Sequence, residues 1–279
     1  MDAATRKVRV PDFVAMKARG ERITMLTAYD YTMARLLDAG GVDSILVGDS
    51  VGNVQLGYST TLPVTMEDML HHTRAVSRGV QRALVIADMP FLSFQVDPLE
   101  AVRNAGRFLQ EGGADAVKLE GGQAVLPAVR HMVQIGIPVV GHLGLTPQSV
   151  HQFGGFKVQA KTEDAAKALM ADALALEEAG AFCIVLESVP VDVAAAVTQR
   201  LRIPTIGIGA GVTCDGQVLV CYDALGMFDD FKPRFVKRFA NLGNEIRRAV
   251  ATYCSEVRDG TFPDAEHSYG SSQKRTEGK

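Results

Sequence analysis

The stretch FLQEGGADAVKLEGG (108–122) holds the pattern that decides the fold: the end of an amphipathic helix, a pair of glycines, and a short apolar strand that ends on a charged residue. The order of helix, glycine and strand recurs as LLDAGGVDSILVGD (36–49), and with a single glycine as MVQIGIPVVGH (132–142) and LEEAGAFCIVLE (176–187). This recurrence is an internal βα repeat. Strands that are apolar on both faces and alternate with helices favour a parallel sheet covered by helices.

Short apolar or β-branched runs of this kind are predicted to be strands. They are RITMLT (22–27), SILVGD (44–49), LVIADM (84–89), DAVKLE (115–120), IPVVGH (137–142), FCIVLE (182–187), IPTIGI (203–208) and QVLVCYD (217–223). Eight strands in about 200 residues fit a closed (β/α)8 barrel of the α/β class, a TIM barrel, better than an open, doubly wound sheet, which is the alternative fold. We predict one barrel domain over residues 1–263, with helical additions at both ends, and a polar, loose tail over 264–279.

Several helices carry start signals. Thr65 and Asp68 form a capping box, and Asp97 stands at the cap position of the next helix. A third helix is predicted over 162–180, where acidic residues in the first turn favour the positive end of the helix dipole. The basic segment 231–257 is also predicted to be helical.

The charge and hydropathy patterns exclude several partners. The chain has 29 Lys and Arg against 32 Asp and Glu, a net charge of −3, so it lacks the basic excess that binding a phosphate backbone requires. Every apolar run is interrupted by Gly, Asp or Arg before it reaches the roughly 20 residues that span a bilayer. We therefore expect neither nucleic acid nor a membrane as a partner.

The cysteines and the first residues indicate the compartment. MDAATRKVRVPDF (1–13) is basic without an apolar region, which argues against a secretory signal. The four cysteines form no CxxC pair, so reduced thiols in a cytoplasmic protein are the simplest interpretation.

The candidate site residues at the ends of the predicted strands are Asp49, Asp88, Glu120, His142 and Glu187. Barrel active sites lie at the C-terminal ends of the strands, so these side chains are expected to meet at one mouth. A turn residue is the ordinary expectation at such a position, and any one of the five could be structural.

Three of these groups are candidate metal ligands. Asp49, Asp88 and Glu120 would repel one another unless a cation neutralised them, and an oxygen-only donor set suits Mg²⁺ better than zinc. In the alternative, one of the three carboxylates pairs instead with Lys118, and Glu120 is the favoured partner because it shares a face of the strand with Lys118.

Glu187 and His142 each allow two interpretations. Glu187 ends a very apolar strand, which suits a partly desolvated general base, but a salt-bridged turn residue is equally compatible with its position. His142, as a lone histidine, is by itself more simply a packed core or turn residue. The long stretch 143–162 is expected to be a lid over the mouth, with Gly154 and Gly155 as a hinge, or else an oligomer contact.

Taken together, the phrases at the strand ends resemble one family, the ketopantoate hydroxymethyltransferases. The resemblance runs from about residue 24 to residue 267 and rests on ordered motifs. They are TAYDY (27–31), VGDS (47–50), ADMPF (87–91), VKLEGG (117–122), GHLGLTPQS (141–149), LESVP (186–190) and IGIGAG (206–211).

The resemblance implies a fold, a reaction and an assembly. The fold is a (β/α)8 barrel of the phosphoenolpyruvate/pyruvate type in a homo-oligomer, decameric in many members. The reaction transfers a hydroxymethyl group from 5,10-methylenetetrahydrofolate to 3-methyl-2-oxobutanoate, through a Mg²⁺-stabilised enolate, and yields 2-dehydropantoate for pantothenate biosynthesis.

The same resemblance implies roles for individual residues. Asp49, Asp88 and Glu120 match the Mg²⁺ site, and Glu187 matches the proposed base. The residues that match contacts to the oxo acid or its pocket are Asp49, Ser50, Asp88, Lys118 and His142. The alternatives are a lyase or mutase of the same barrel superfamily, acting on a 2-oxo acid without folate, and a catalytically silent binding barrel.

Overall fold

The computed structural model describes residues 6–229 and 233–269, and these residues form a closed parallel barrel. Its strands follow sequence order around the barrel. They are β1 (Ile23–Thr27), β2 (Ser44–Val47), β3 (Leu84–Asp88), β4 (Ala116–Glu120), β5 (Val139–Gly144), β6 (Cys183–Glu187), β7 (Thr205–Ile208) and β8 (Gly216–Leu219).

Closure of the barrel is made by the first and last strands. Ile23 to Leu26 of β1 pair in parallel with Gly216 to Leu219 of β8. The predicted barrel is confirmed, and the open doubly wound sheet is wrong. All eight predicted strands are present, and the boundaries differ from prediction by a few residues.

In the described part of the chain, helices connect most of the successive strands, one precedes β1, and two follow β8. They are α1 (Val10–Arg19), α2 (Tyr31–Ala39), α3 (Val51–Val54), α4 (Met66–Gly79), α5 (Pro98–Gln110), α6 (Leu126–Gln134), α7 (Val150–Phe153), α8 (Glu163–Glu178), α9 (Val191–Arg200), α10 (Cys221–Ala224) and α11 (Leu242–Asp259).

The predicted helix starts are confirmed by their caps. The Thr65 side chain accepts a hydrogen bond from the Asp68 amide, and the Asp68 carboxylate accepts one from the Thr65 amide in return. Asp97 caps α5 by accepting from Leu99, and Thr162 caps α8 in the same way. Each cap pairs a backbone donor that the helix itself leaves without a partner.

The predicted helix over 231–257 is wrong in its first part. Residues 230–232 lie outside the described residues, and the chain from Pro233 to Asn241 is not α-helical. Proline lacks a backbone donor and disfavours helical geometry in the residue before it, so a helix does not run through this position. α11 begins at Leu242 and ends at Asp259, beyond the predicted end.

The barrel interior is a continuous apolar core. Alternate residues of the strands, among them Met25, Ile86, Val140 and Val185, join one buried cluster. Phe13 of α1 belongs to the same cluster and packs edge-on against Phe182, with ring centroids 5.8 Å apart. Because Phe182 directly precedes β6, Phe13 closes the amino-terminal end of the barrel, and the opposite end carries the polar groups.

The described residues fall into two compact units. The first contains the barrel up to Cys221 together with Pro233–Val236, and the second contains α11 with the segments on either side of it. Within the second unit, Phe262 packs against Tyr253, and residues 264–268 form a hydrogen-bonded turn. Residues 270–279 of the predicted tail lie outside the described residues, and the single domain over 1–263 stays a prediction.

Across the part of the chain that the structure describes, no helix has both the length and the apolar character needed to cross a membrane.

Candidate active site

The strand register brings the predicted site residues together at the carboxyl-terminal mouth. Asp88 of β3 pairs with Lys118 of β4, and Glu120 of β4 pairs with His142 of β5. Asp49 follows β2, and Glu187 ends β6. Neighbours in a parallel register present their side chains to the same face, so these groups share one rim.

Lys118 makes its ion pair with Asp88. The Lys118 Nζ lies 2.8 Å from the Asp88 Oδ1, and both side chains are only 5% exposed. One of the three carboxylates therefore does pair with Lys118, as the alternative interpretation expects, but it is Asp88 of the neighbouring strand and not Glu120. Burial opposes the charge on Lys118, but Asp88, Glu120 and Asp49 outweigh it and raise the pKa of the ammonium, so it stays protonated.

His142 connects two of the acids. Its Nδ1 lies 3.4 Å from the Glu120 Oε1, and its Nε2 lies 3.2 Å from the Glu187 Oε2. Burial and the nearby Lys118 disfavour an imidazolium, but Glu120 and Glu187 outweigh them and raise the pKa of His142 to about 9. A charged ring that bridges two carboxylates is more than a packed core histidine.

The repulsion among neighbouring carboxylates that the sequence predicts acts on Asp49. Burial, and after it the charges of Asp88 and Glu120, raise the pKa of Asp49 from 3.8 to about 7. Burial also raises the pKa of Asp88, whose Oδ2 accepts a hydrogen bond from the Asp49 amide at 3.1 Å. The mouth therefore holds negative charge that Lys118 and His142 do not fully compensate.

Glu187 has features of both predicted roles, the salt-bridged turn residue and the partly desolvated base. It contacts His142, as a salt-bridged turn residue would, yet its side chain remains 16% exposed at the mouth. Ser188 follows in left-handed geometry, with φ of 49°, and turns the chain sharply at this point. The carboxylate is thus held by a partner and still open to a ligand.

Two observations bear on the predicted Mg²⁺ site, the placement of the side chains and the chemistry of their donor atoms. Among residues 6–229 and 233–269, no three Asp, Glu, His or Cys side chains are placed to hold one ion together. The donor chemistry nevertheless fits a hard divalent cation, because Asp49, Asp88 and Glu120 are buried carboxylates at one mouth whose mutual repulsion a cation would relieve.

Comparison with known proteins identifies the family. The family model for ketopantoate hydroxymethyltransferase matches residues 7–265. The chain belongs to the ketopantoate hydroxymethyltransferase family. A protein of Syntrophus aciditrophicus named 3-methyl-2-oxobutanoate hydroxymethyltransferase is 62% identical over 264 residues, which cover 95% of this chain and 97% of that protein. One of the same name from Moorella thermoacetica is 60% identical over 267 residues, 96% of this chain and 99% of that protein.

Solved structures show that this ketopantoate hydroxymethyltransferase fold is shared more widely. A 2,3-dimethylmalate lyase, described as a phosphoenolpyruvate mutase/isocitrate lyase superfamily member, matches 93% of this chain and 88% of its own with a TM-score of 0.59 at 17% identity. A phosphonopyruvate hydrolase in complex with oxalate and Mg²⁺ matches 92% of both chains with a TM-score of 0.58 at 14% identity. At these identities the likeness concerns the fold alone.

One residue of this hydroxymethyltransferase site was missed from the sequence. The Gln148 side-chain amide donates to the Asp49 Oδ2 at 2.9 Å and to the Met89 carbonyl at 3.0 Å, and its backbone amide donates to the Glu120 Oε2 at 3.0 Å. Its position in the motif GHLGLTPQS was the available signal, but a glutamine after a proline indicates no particular contact.

The segment 143–162 is fastened at both ends to the turn that carries Glu187. The Leu145 amide donates to the Glu187 carbonyl at 2.8 Å, and the Gln159 amide donates to the Ser188 carbonyl at 2.9 Å. Between these anchors Gly154 and Gly155 both have positive φ, and Phe156 is exposed. The segment thus lies directly beside the candidate base, and its role as a lid stays a prediction.

Proposed function

We propose that the chain transfers a hydroxymethyl group from 5,10-methylenetetrahydrofolate to 3-methyl-2-oxobutanoate and forms 2-dehydropantoate by way of an enolate, with Mg²⁺ as cofactor. The observation that carries this proposal is the mouth itself. Buried acids, a charged lysine and a partly open glutamate lie together in a chain whose relatives bear the name of this activity.

Asp49, Asp88 and Glu120 are the residues that would hold Mg²⁺. Their oxygen donors and their uncompensated charge support this assignment. When bound, the cation supplies Lewis acidity, which stabilises negative charge on the 2-oxo oxygen of the substrate.

The carboxylate end of the oxo acid is assigned to Ser50 and Lys118. Lys118 remains a cation at the mouth, and Ser50 stands at the start of α3 beside Asp49. His142 lines the same pocket, and Asp49 and Asp88 border the oxo acid as well. A fixed charge with hydroxyl donors beside it is suited to hold a small carboxylate in one orientation.

Glu187 is the proposed base. It removes the proton from C3 of the oxo acid, and His142 orients its carboxylate. C3 then forms a bond to the methylene carbon of the folate, the bonds of that carbon to N5 and N10 break, and water supplies the hydroxyl oxygen. One proton from C3 and one from water end on the two nitrogens, so that tetrahydrofolate leaves. Closure of the segment 143–162 over the mouth would separate the enolate from bulk solvent.

We also propose that the protein works in the cytoplasm as a homo-oligomer, a decamer. Its cysteines are free, as expected in a reducing compartment. Ile246, Val250, Tyr253 and Val257 recur at helical spacing along α11 and are each 45–57% exposed. An apolar stripe of this kind is typical of a helix that packs against another chain.

Proton exchange tests the proposed reaction. In D₂O with Mg²⁺ and without folate, the wild type should exchange the C3 proton of 3-methyl-2-oxobutanoate, which NMR follows directly. Glu187→Gln should abolish exchange and leave oxo-acid binding measurable by calorimetry. A wild type that leaves the proton in place would refute the enolate, and a Glu187→Gln variant that cannot bind would make Glu187 structural.

Product formation with and without the folate separates the proposal from a folate-independent lyase or mutase. We expect 2-dehydropantoate only when 5,10-methylenetetrahydrofolate is present. Cleavage or rearrangement of a 2-oxo acid without folate would favour the other reaction class.

A further inference from the structure

A chain of buried hydroxyl groups leads from the barrel wall to the mouth. Thr27 ends β1, and its Oγ1 lies 2.8 Å from the hydroxyl of Tyr29, which is fully buried. The Tyr29 hydroxyl in turn lies 2.8 Å from the Oγ of Ser50. Thr27 and Tyr29 make no contact with the oxo acid in the proposed reaction, so this row of hydroxyl groups needs another explanation.

In the first part of this row of hydroxyl groups, the donor of each hydrogen bond is known. The backbone amide of Cys221 donates to the Thr27 Oγ1 at 3.0 Å, and Thr27 donates its own proton to the Tyr29 hydroxyl. A phenol has a single proton. Between Tyr29 and Ser50 the distance allows either hydroxyl to donate, and with Thr27 donating to it, Tyr29 can give its own proton to the Ser50 Oγ.

Donation by Tyr29 would determine where the hydroxyl proton of Ser50 points. Ser50 is partly exposed at the mouth, while Thr27 and Tyr29 are buried beneath it. When Tyr29 donates to the Ser50 oxygen, the Ser50 hydroxyl is left to donate its own proton toward the mouth. A hydroxyl without such a partner could rotate and present either its proton or its lone pairs.

Gly48 leaves the space that this arrangement needs. A Cβ at this position would lie 2.7 Å from the Ser50 Oγ and 3.5 Å from Thr27 Cγ2. The Ser50 hydroxyl therefore fits in the observed place because residue 48 has no side chain.

We propose that Tyr29 donates its proton to the Ser50 Oγ, and that it is thereby a positioning residue that fixes Ser50 as a hydrogen-bond donor to the carboxylate of the oxo acid. This rests on the proposed function, because it takes the oxo acid as the ligand. A carboxylate only accepts hydrogen bonds, so a hydroxyl held as a donor binds it without first losing rotational freedom.

Tyr29→Phe tests the proposal, because it removes the hydroxyl and keeps the ring. With Mg²⁺ present, calorimetry should show 3-methyl-2-oxobutanoate binding about fivefold more weakly, the effect of one modest hydrogen bond. The KM for the oxo acid should rise similarly with kcat little changed, because ground state and transition state lose the same contact. The matched control is Tyr31→Phe in the same motif, where the side chain is 44% exposed and binding should not change.

A double-mutant cycle separates positioning from a general structural effect. In a Ser50→Ala background, Tyr29→Phe should cause no further loss of affinity, since its effect passes through Ser50. A second fivefold loss in that background, or a Tyr29→Phe variant that binds like wild type, would overturn the proposal. A wild type that does not bind the oxo acid would instead refute the proposed function, and this inference with it.

A second pair of variants covers the case in which Tyr29→Phe does not fold. Thr27→Val removes the donor to Tyr29, whereas Thr27→Ser keeps it. Weaker binding by the valine variant alone supports the chain of hydroxyls, and equal binding by both variants contradicts it.

Discussion

At the scale of single residues, the site is governed by how charge is shared among buried groups. Residue types at the strand ends were sufficient to predict that Asp49, Asp88 and Glu120 would meet. The partner of Lys118 was not predictable in the same way, because pairing depends on which neighbouring strand brings an acid level with it. Gln148 was missed because its contacts depend on the path of a long segment, which no periodic pattern specifies.

The pKa of Asp49 leads to a prediction about Mg²⁺. A carboxyl group must be ionised to bind the cation, and burial with two neighbouring acids holds the pKa of Asp49 at about 7. Affinity should therefore fall as the pH is lowered through 7, by about tenfold between pH 8 and pH 6, as protons compete with the metal.

Calorimetric titration of Mg²⁺ into the protein at several pH values measures this dependence. Asp49→Asn serves as the comparison, since it should bind weakly and lose the pH dependence in this range. An affinity for the wild type that is flat between pH 6 and pH 8 would contradict the role given to Asp49.

At the scale of elements, β5 shows why the site needs particular backbone geometry. Gly144 at its carboxyl end has φ of 92°, and a Cβ there would lie 2.3 Å from the Glu187 carbonyl oxygen. Gly136, just before the strand, has φ of 89° with open space around its missing Cβ. At both glycines an added side chain would strain the backbone because φ is positive. The two positions differ in what the added methyl group would contact.

Gly144→Ala should displace the turn that carries Glu187 and slow C3 proton exchange by at least about tenfold, with thermal unfolding at a lower temperature. Gly136→Ala should cost only the left-handed strain of about 1–2 kcal/mol and keep the exchange rate. NMR exchange and calorimetric unfolding measure both effects. Equal exchange rates in the two variants would show that the close approach of β5 to Glu187 has no part in catalysis.

Secondary structure was predictable to within a few residues wherever a cap or a glycine marks the boundary, as at Thr65 and Asp97. The prediction is wrong between residues 233 and 241, where Pro233 stands in a basic, partly apolar segment. A proline inside a proposed helix removes a hydrogen bond that side-chain patterning does not replace.

At the scale of the whole molecule, the apolar stripe on α11 leads to a prediction about assembly. Val250 lies at its centre and is 54% exposed. Val250→Glu would place a charge in the proposed contact between copies and should yield smaller species by sedimentation or light scattering. Ala251→Glu adds the same charge on another side of the helix and should leave the assembly intact. Identical masses for Val250→Glu and wild type would remove the stripe from the interface.

The closed amino-terminal end of the barrel also affects the kinetics of the proposed reaction. Because Phe13 is packed in the core at that end, the proposed substrates would both have to reach the acids through the opposite mouth. In the proposed reaction the small oxo acid would lie against the strand ends, and the larger folate would approach above it. We therefore expect initial-rate kinetics to show an ordered mechanism in which the oxo acid binds first and its product leaves last.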